Sequence, residues 1–301
     1  TWMMALLRFW TVNSEIETHI LVTSGKKGEF DEEAIRLGAK IHYVKFGLKR
    51  IPEFSRRFRY LLKSKRFDAI HDHQDFSSGW HFFLGAGLLP RLRITHVHNP
   101  SYQIQNNYRV SYRRRVTALL GKELVKRFAT KITGTSLQVL DEYGLNAVRF
   151  RGIPKLAVHC AFDTQRFQGN HNLARQRICK EFRWPSSSRI VLFAGRIDHS
   201  ADRTHPQCHK NSAFAIDVAI LAAKLDPNFH MILAGRKTDA ATQLQRQIDD
   251  AGLTGRIVFA GIRHDISDLM LGSHLLFFPS RGEGLGMVAV EAQACGLRVL
   301  A

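Results

Sequence analysis

The sequence predicts an α/β protein made of two Rossmann-like, doubly wound parallel-sheet domains that face a cleft. Short apolar runs alternate with segments of helical spacing in two stretches of the chain, which is typical of parallel sheets covered by helices. A polar, turn-rich segment at 163–188 separates the two stretches. Since 301 residues suit two domains of about 150 residues, we predict an N-terminal domain over 1–162, a linker over 163–188 and a C-terminal domain over 189–301.

The first domain is predicted from its regular alternation. The chain begins with helical spacing in TWMMALLRFW, and strands are expected at 18–22, 40–44, 67–71, 92–97 and 131–134. Helices are expected at 32–37, 52–65, 79–89 and 108–128. Because the chain opens inside a helix without Met and stops inside a strand, we expect it to be truncated at both ends. The missing parts would include the first strand and its glycine-rich, ligand-facing loop, and the truncated chain would be inactive and poorly soluble.

A second alternation follows residue 188. Strands are expected at 190–194, 230–234, 257–259 and 275–278 and from residue 298, and helices at 212–225, 241–251 and 266–271. A last helix should end at Cys295-Gly296, where the glycine suits a helix C-terminus. Ligands of such sheets bind at the carboxyl ends of the strands, so the two domains should bind theirs in the cleft.

Composition and charge limit the class of protein. A hydrophobic content of 45% is ordinary for a globular protein, and no apolar run reaches the roughly 18 residues of a membrane span, so the chain is not an integral membrane protein. Four scattered cysteines, Cys160, Cys179, Cys208 and Cys295, argue against a disulfide framework and favour the cytoplasm. The formal net charge of +18 predicts an anionic partner: a membrane surface, a nucleotide or nucleic acid.

The last 28 residues, HLLFFPSRGEGLGMVAVEAQACGLRVLA, predict a strand, a glycine-containing loop and a helix. A helix N-terminus binds phosphate well, and Gly284 and Gly286 let the backbone approach a ligand closely. Glu283 should lie in the loop beside a diphosphate, while Glu291, about two turns into the helix, could accept hydrogen bonds from both ribose hydroxyls. The alternative is a surface helix with two solvated glutamates.

The residues E-G-L-G, the spacing of Glu283 and Glu291 and the run EAQACGL resemble the E-x7-E signature of family 4 retaining glycosyltransferases, which have the GT-B fold. Bacterial capsular and exopolysaccharide members are the most similar. The resemblance implies that Gly284, Leu285, Gly286 and Glu291 bind the nucleotide sugar. It also implies that 1–162 is the acceptor-side domain and 189–301 the nucleotide-sugar-binding domain. It covers nearly the whole chain but is specific in the second domain, and Cys160 replaces an asparagine that the family usually has.

Two further segments of the second domain resemble that family. Arg196 and Lys210, in FAGRIDHSADRTHPQCHKNSAF, match two cations that bind the donor diphosphate, and fixed cations stabilise such a leaving group without a metal. They could instead be two exposed basic residues. VFAGIRHDI resembles the turn that contacts the base, through Gly261, Ile262 and Arg263. The insert before Lys210 contains four possible metal ligands: His199, His205, Cys208 and His209. Their spacing matches no standard zinc pattern, so we expect no metal there.

Four histidines follow two strands of the first domain, in IHDHQDF and ITHVHNPSY: His71, His73, His96 and His98. A lone histidine is usually structural, but four at strand ends that should meet the cleft suggest a functional site. The second motif resembles a family element in which a histidine lies against the donor sugar and acceptor. His98 is the predicted catalytic histidine and His96 the alternative. With His98, the predicted catalytic residues are Glu283, Arg196 and Lys210.

Basic residues are concentrated in the first domain. Segments 49–66 and 109–127 contain eight and seven basic residues against one acid each. Interleaved Phe and Leu suit an anionic membrane surface, although a solvated helix face explains the pattern equally well. We expect both segments to lie away from the strand ends that line the cleft.

The sequence therefore predicts a glycosyltransferase on the inner face of the plasma membrane, peripherally bound. It would move a hexose from a nucleoside-diphosphate sugar, such as a UDP-sugar, to a lipid-linked saccharide or polysaccharide precursor, with retention and without a metal cofactor. Two alternatives are a GT-B nucleotide-sugar epimerase and a non-enzymatic polyanion-binding protein. No recognisable nucleic-acid module occurs, so nucleic acid is not an expected partner.

Overall fold

A computed structural model describes residues 2–13, 15–100, 112–205 and 208–301 of the chain. Its contacts divide the chain into a first unit, Thr1–Phe162, and a second unit, Asp163–Ala301. Every pair of neighbouring strands described is parallel, and helices connect them, so the predicted α/β class with doubly wound parallel sheets is confirmed.

The first unit alternates helices and strands as the sequence predicts. Its elements are α1 (Trp2–Asn13), β1 (His19–Val22), α2 (Asp31–Arg36), β2 (Lys40–Tyr43), α3 (Ile51–Lys65), β3 (Ala69–Asp72), α4 (Ser77–Leu84), β4 (Leu92–Val97), α5 (Tyr112–Phe128), β5 (Lys131–Gly134), α6 (Leu137–Glu142) and β6 (Lys155–Ala157). Strands β1 and β2 form one sheet, and the other has the order β3-β4-β5-β6. The first four residues of the helix predicted at 108–128 lie outside the described residues.

Helix α3 illustrates how the sequence forms these elements. Its apolar residues Phe54, Phe58 and Leu62 recur every four positions, lie on one face and are buried. Each such side chain contributes about 1.5–3 kcal/mol by leaving water. The helix ends at Arg66, which adopts a left-handed conformation with φ 48°. The basic residues of segment 49–66 that belong to α3 therefore lie on its outer faces.

The second unit has one five-stranded sheet. Its elements are α7 (His171–Phe182), β7 (Arg189–Ala194), α8 (Ser212–Leu225), β8 (Phe229–Ala234), α9 (Ala240–Asp250), β9 (Ile257–Gly261), α10 (Ile266–Gly272), β10 (Leu275–Phe277), α11 (Met287–Ala294) and β11 (Arg298–Leu300). The strand order is β11-β10-β7-β8-β9. Buried side chains from β8 and from α8 and α9 form its core, among them Ile216, Leu233, Leu244 and Ile248.

The order of these strands creates a position for a ligand. From β7 the chain proceeds to β8 and β9 on one side, and then returns to place β10 and β11 on the other side. The loops that follow β7 and β10 therefore leave the sheet in opposite directions. A crevice opens between such loops at the carboxyl ends of the strands, and it is where ligands of open α/β sheets bind.

The segment predicted as a linker, 163–188, is instead folded into the second unit. It contains α7, whose Ala174, Ile178 and Cys179 are buried. His171 Nδ1 lies 2.9 Å from the carbonyl oxygen of Leu271 at the end of α10. The prediction failed because the apolar positions of α7 are few and are separated by basic residues, so its helical periodicity is weak.

Membrane-spanning structure is not found in the described parts of the chain: none of their helices is both long enough and apolar enough to cross a bilayer.

Candidate functional site

The loops after β7 and β10 meet through an ion pair. Lys210 Nζ lies 2.5 Å from Glu283 Oε1, although the two residues are 73 positions apart in the sequence. Ser280, three residues after the end of β10, donates its hydroxyl to the same carboxylate oxygen at 2.6 Å. The structure therefore brings two of the four predicted catalytic residues into direct contact at the crevice described above.

A buried carboxylate that sequence reasoning missed positions Lys210. Asp198, after β7, accepts hydrogen bonds from the backbone N–H of Lys210 at 3.0 Å and from that of Ser212 at 2.9 Å. The Ser212 hydroxyl donates to it as well, at 3.2 Å. These bonds fix the start of α8 against the end of β7. The only signal in the sequence was an Asp two residues after Arg196, and such residues are common in loops.

Arg196 follows a tight backbone contact between the ends of β7 and β8. A Cβ atom on Gly235, which follows β8 with φ +155°, would lie 2.0 Å from the carbonyl oxygen of Gly195. Only glycine therefore fits at position 235. This contact fixes the backbone just before Arg196, whose side chain is exposed. Arg196 is available to an anion at this edge of the sheet.

The insert between Arg196 and Lys210 packs back on the site through its backbone. The N–H of Arg281 donates to the carbonyl oxygen of His209 at 2.9 Å, and the Cys208 thiol contacts the carbonyl oxygen of Asp202 at 3.1 Å. Within the described residues, the insert's His and Cys side chains do not bring three ligand atoms together.

Helix α11 begins directly after Gly286, which has φ +68°. Glu291 is the fifth residue of α11, so it lies just over one turn from the helix start; the prediction of about two turns placed the start too early. Glu291 is half-buried, and this burial raises the pKa of its carboxyl above the ordinary value of 4.5. Its neighbours Gly284 and Leu285 lie in the half-buried loop before the helix. The E-x7-E segment thus presents a helix N-terminus and two carboxylates.

The turn after β9 contains the predicted base-binding residues. Gly261 has φ +69° and accepts a hydrogen bond from the N–H of Gly235 at 2.7 Å, while Ile262 is 52% exposed. Hydrogen bonds from the Arg263 guanidinium to Glu181 and Asp265, at 2.5–2.9 Å, raise the pKa of Arg263. The Arg263 side chain therefore fastens the turn to α7. The side chain is occupied by these bonds, so a ligand would contact the backbone of the turn.

In the first unit the four predicted histidines form a cluster on one face of the sheet. His71 on β3 is in register with Ile94 on β4, so alternation places His73, His96 and His98 on the same face. His71 Nε2 lies 3.1 Å from His96 Nδ1, and His73 Nδ1 lies 2.8 Å from His98 Nε2. We call these residues the histidine cluster.

Burial keeps the histidine cluster neutral. Desolvation, with the neighbouring imidazoles, lowers the pKa of His71 to about 4, of His73 to about 3 and of His96 to about 2. Desolvation also lowers the pKa of His98. At neutral pH these rings can donate and accept hydrogen bonds, but they do not supply positive charge.

Two aspartates support the cluster. Asp75, with φ 48°, accepts from the N–H of His98 at 3.3 Å, and burial raises its pKa to about 6. On β3, Asp72 lies 2.7 Å from His81 Nδ1 and accepts the Ser78 hydroxyl at 2.9 Å. Burial opposes ionisation of Asp72, but His81 and these hydrogen bonds outweigh it and lower its pKa. Helix α4 is thereby fixed to the strand that carries His71.

A cavity of about 930 Å³ lies beside the cluster, within the first unit. Its lining combines four cations, three large aromatic side chains and one carboxyl group with His73: Lys45, Lys49, Arg50, Arg114, Phe46, Phe76, Trp80 and Asp75. The Trp80 indole N–H donates to the carbonyl oxygen of Thr117 at 2.9 Å, which holds the ring against α5. The cavity can accept a ligand with sugar rings and negative charge.

This lining corrects the expectation that both basic segments lie away from the strand ends. Lys49 and Arg50 precede α3, and Arg114 lies in the first turn of α5. In a parallel sheet the helices begin at the edge where the strands end, so the first turns of α3 and α5 reach the cavity. By contrast, Arg56, Arg57 and Arg59 are exposed further along α3.

Comparison with known proteins identifies the family. The family model Glycosyltransferase Family 4 matches residues 11–166, more than half of the chain, and Glycosyl transferases group 1 matches residues 174–301. The chain is 29% identical to the capsular polysaccharide biosynthesis glycosyltransferase CapH of Staphylococcus aureus, over 93% of this chain and 71% of CapH. It is 28% identical to the putative glycosyltransferase EpsF of Bacillus subtilis, over 94% of this chain and 70% of EpsF.

Solved structures share the fold. Anabaena Alr3699/HepE in complex with UDP and glucose has a TM-score of 0.73 at 18% identity, and the match covers 100% of this chain and 76% of HepE. WaaG, a glycosyltransferase involved in lipopolysaccharide biosynthesis, has a TM-score of 0.67 at 15% identity, over 97% of this chain and 74% of WaaG. The GT-B class predicted from the sequence is confirmed. The chain is a glycosyltransferase and belongs to Glycosyltransferase Family 4.

Proposed function

We propose that the protein moves a hexose from a nucleoside-diphosphate sugar to a lipid-linked saccharide or polysaccharide precursor, with retention of configuration, in capsular or exopolysaccharide assembly. The observation that carries this proposal is the Lys210–Glu283 pair at the crevice of the second unit. Both it and the E-x7-E segment lie at the carboxyl ends of β7 and β10, where a phosphate-bearing ligand suits the fold. Names of relatives support the substrate class: HepE was solved with UDP-glucose, and CapH acts in capsular polysaccharide biosynthesis.

The donor would be bound through charge and backbone groups of the second unit. Lys210 and Arg196 would neutralise the diphosphate as it leaves, together with the N–H groups at the start of α11. Glu291 would accept hydrogen bonds from the ribose hydroxyls, and the turn at Gly261 and Ile262 would contact the base. These cations would take the electrostatic role of a metal, so transfer would not depend on a divalent cation.

The acceptor would occupy the cavity of the first unit. Trp80 and Phe46 offer apolar faces for sugar rings, and the surrounding cations can pair with the phosphates of a lipid carrier. His98, which contacts His73 at the cavity wall, would lie next to the reacting sugar. His96 remains the alternative for this role.

Peripheral binding to the cytoplasmic face of an anionic membrane would bring the enzyme to such an acceptor. Tyr60 on α3 is 75% exposed, and Tyr112 and Leu119 on α5 are 82% and 59% exposed. They lie among the basic residues of both helices, the combination that favours the interface of an anionic bilayer.

The test uses the full-length protein with a panel of UDP-sugars and a lipid extract containing polyprenyl-phosphate-linked saccharides. We expect release of UDP together with a new glycoside whose anomeric configuration, read by NMR, matches that of the donor. An inverted product would contradict retention. An epimerised sugar without a glycoside would favour the epimerase alternative, and binding of polyanions without turnover would favour the non-enzymatic one.

A further inference from the structure

We propose that His71, His73 and His96 form a binding site for a transition-metal cation of the Zn²⁺ class. One nitrogen of each side chain lies within 4.8 Å of the corresponding nitrogens of the other two. Among the described residues, this is the one group of three such side chains that converges in this way. The site lies wholly in the first unit and is separate from the cations assigned to the donor diphosphate.

The distances between the nitrogens suit such a cation. Three imidazole nitrogens at about 2.0–2.1 Å from a tetrahedral Zn²⁺ lie about 3.3 Å from one another. His71 Nε2 and His96 Nδ1 are 3.1 Å apart, close to this separation, and the ligand atoms of all three side chains lie within 4.8 Å of one another. Imidazole nitrogen favours Zn²⁺, Co²⁺, Ni²⁺ and Cu²⁺, whereas Mg²⁺ and Ca²⁺ favour oxygen.

The three side chains are largely shielded from solvent, since His71 and His73 are half-buried and His96 is buried. The rings are also fixed in place, because β3 and β4 carry them and the rings of His71 and His73 pack with centroids 4.1 Å apart. A rigid, preformed set of ligands loses little entropy when it binds a cation.

His98 and the cavity are neighbours of the three histidines. His98 Nε2 lies 2.8 Å from His73 Nδ1, and His73 also lines the cavity. Because His73 belongs to both, a cation held by the three histidines would lie close to the cavity. Zinc sites with three protein ligands keep one coordination position open.

The experiment is a titration of the untagged full-length protein, freed of metal with a chelator, with Co²⁺ and then Zn²⁺. We expect visible Co²⁺ absorption that saturates at one equivalent and disappears as Zn²⁺ replaces it. Replacing His73 with Asn (His73→Asn) should weaken Zn²⁺ binding by more than about 100-fold, because losing a ligand costs more than losing its supporting partner.

His42→Asn is the matched control. His42 and His19 form a pair with a nitrogen separation of 2.8 Å in the same unit, but within the described residues no third ligand atom converges on the pair, so this variant should bind Zn²⁺ as the wild type does. The proposal is overturned if the wild type does not bind one equivalent of Zn²⁺ tightly. It is also overturned if His73→Asn and His42→Asn bind Zn²⁺ with the same affinity. If circular dichroism shows that a variant is destabilised, the titration of the wild type alone still tests the proposal.

Discussion

The ligand-facing edges of the two units are built on opposite electrostatic principles. The edge of the second unit carries charged side chains before any ligand binds. Lys210 and Glu283 pair across the crevice, and Arg196 is exposed at the same edge. In the first unit the edge consists of imidazoles that burial keeps neutral, with cations only at the wall of the adjoining cavity. A leaving diphosphate needs fixed charge, whereas a sugar hydroxyl needs neutral groups that donate and accept hydrogen bonds, so the difference suits the proposed donor and acceptor sites.

The largest expected effect comes from removing charge at the edge of the second unit. Lys210→Met should lower kcat by about 10²–10³-fold, because the leaving diphosphate loses a fixed cation. Steady-state release of UDP measures it. The matched control is Lys224→Met, at the far end of α8, which should keep wild-type kcat. Equal losses in both variants would show that net charge, and not the position of Lys210, sets the rate.

The exposed face of α3 should set membrane affinity and leave the edge of the second unit unaffected. Changing Arg56, Arg57 and Arg59 to Gln should weaken binding to anionic vesicles by about 3 kcal/mol at low salt, since each basic residue near such a surface contributes about 1 kcal/mol. Sedimentation with vesicles measures this binding, and high salt should weaken the binding of the wild type in the same way.

A variant with the same change in net charge controls for that result. Lys180, Lys224 and Arg246 are exposed residues of the second unit. Their triple change to Gln should leave vesicle binding near that of the wild type. If both triple variants lose binding equally, the membrane contact is not on α3.

A substitution in the E-x7-E segment should cause a smaller loss, here of nucleotide affinity. Glu291→Gln should weaken nucleotide binding by about 1–3 kcal/mol, because an amide accepts fewer hydrogen bonds from the ribose hydroxyls than a carboxylate does. Calorimetry with UDP measures the affinity, and the melting temperature confirms the fold. Unchanged affinity in a folded variant would remove Glu291 from the site.

The pH dependence of that affinity tests the same carboxyl group. Burial raises the pKa of Glu291 above 4.5, so its charge is lost at a higher pH than that of an ordinary glutamate. As pH falls through this raised pKa, wild-type affinity for UDP should fall towards that of Glu291→Gln, which cannot titrate. A ratio of the two affinities that stays constant with pH would contradict a role for the ionised form.

Many of the strands and helices of both units could be predicted from the sequence, because the spacing of apolar residues reflects which side chains are buried. The strands at 92–97 and 131–134 and the helix at 212–225 have the predicted limits, since each has a clear apolar pattern between turn residues. The role of Asp198 and the contact of Lys210 with Glu283 could not be predicted, because they depend on which loops the strand order makes neighbours. The sequence places the four histidines at the ends of two strands, but their distances depend on the register of β3 and β4.

The smallest expected effect concerns the acceptor and separates the two roles of the basic residues on α5. Arg114 lines the cavity, whereas Arg113 is exposed beside it and does not belong to the lining. Arg114→Gln should raise the KM for the lipid-linked acceptor about 3- to 10-fold with little change in kcat, as expected for one partly solvated ion pair to a phosphate. Arg113→Gln should leave this KM unchanged. Because the two variants lose the same charge from the same helix turn, any difference between them reports the cavity alone, and equal KM values would place the acceptor elsewhere.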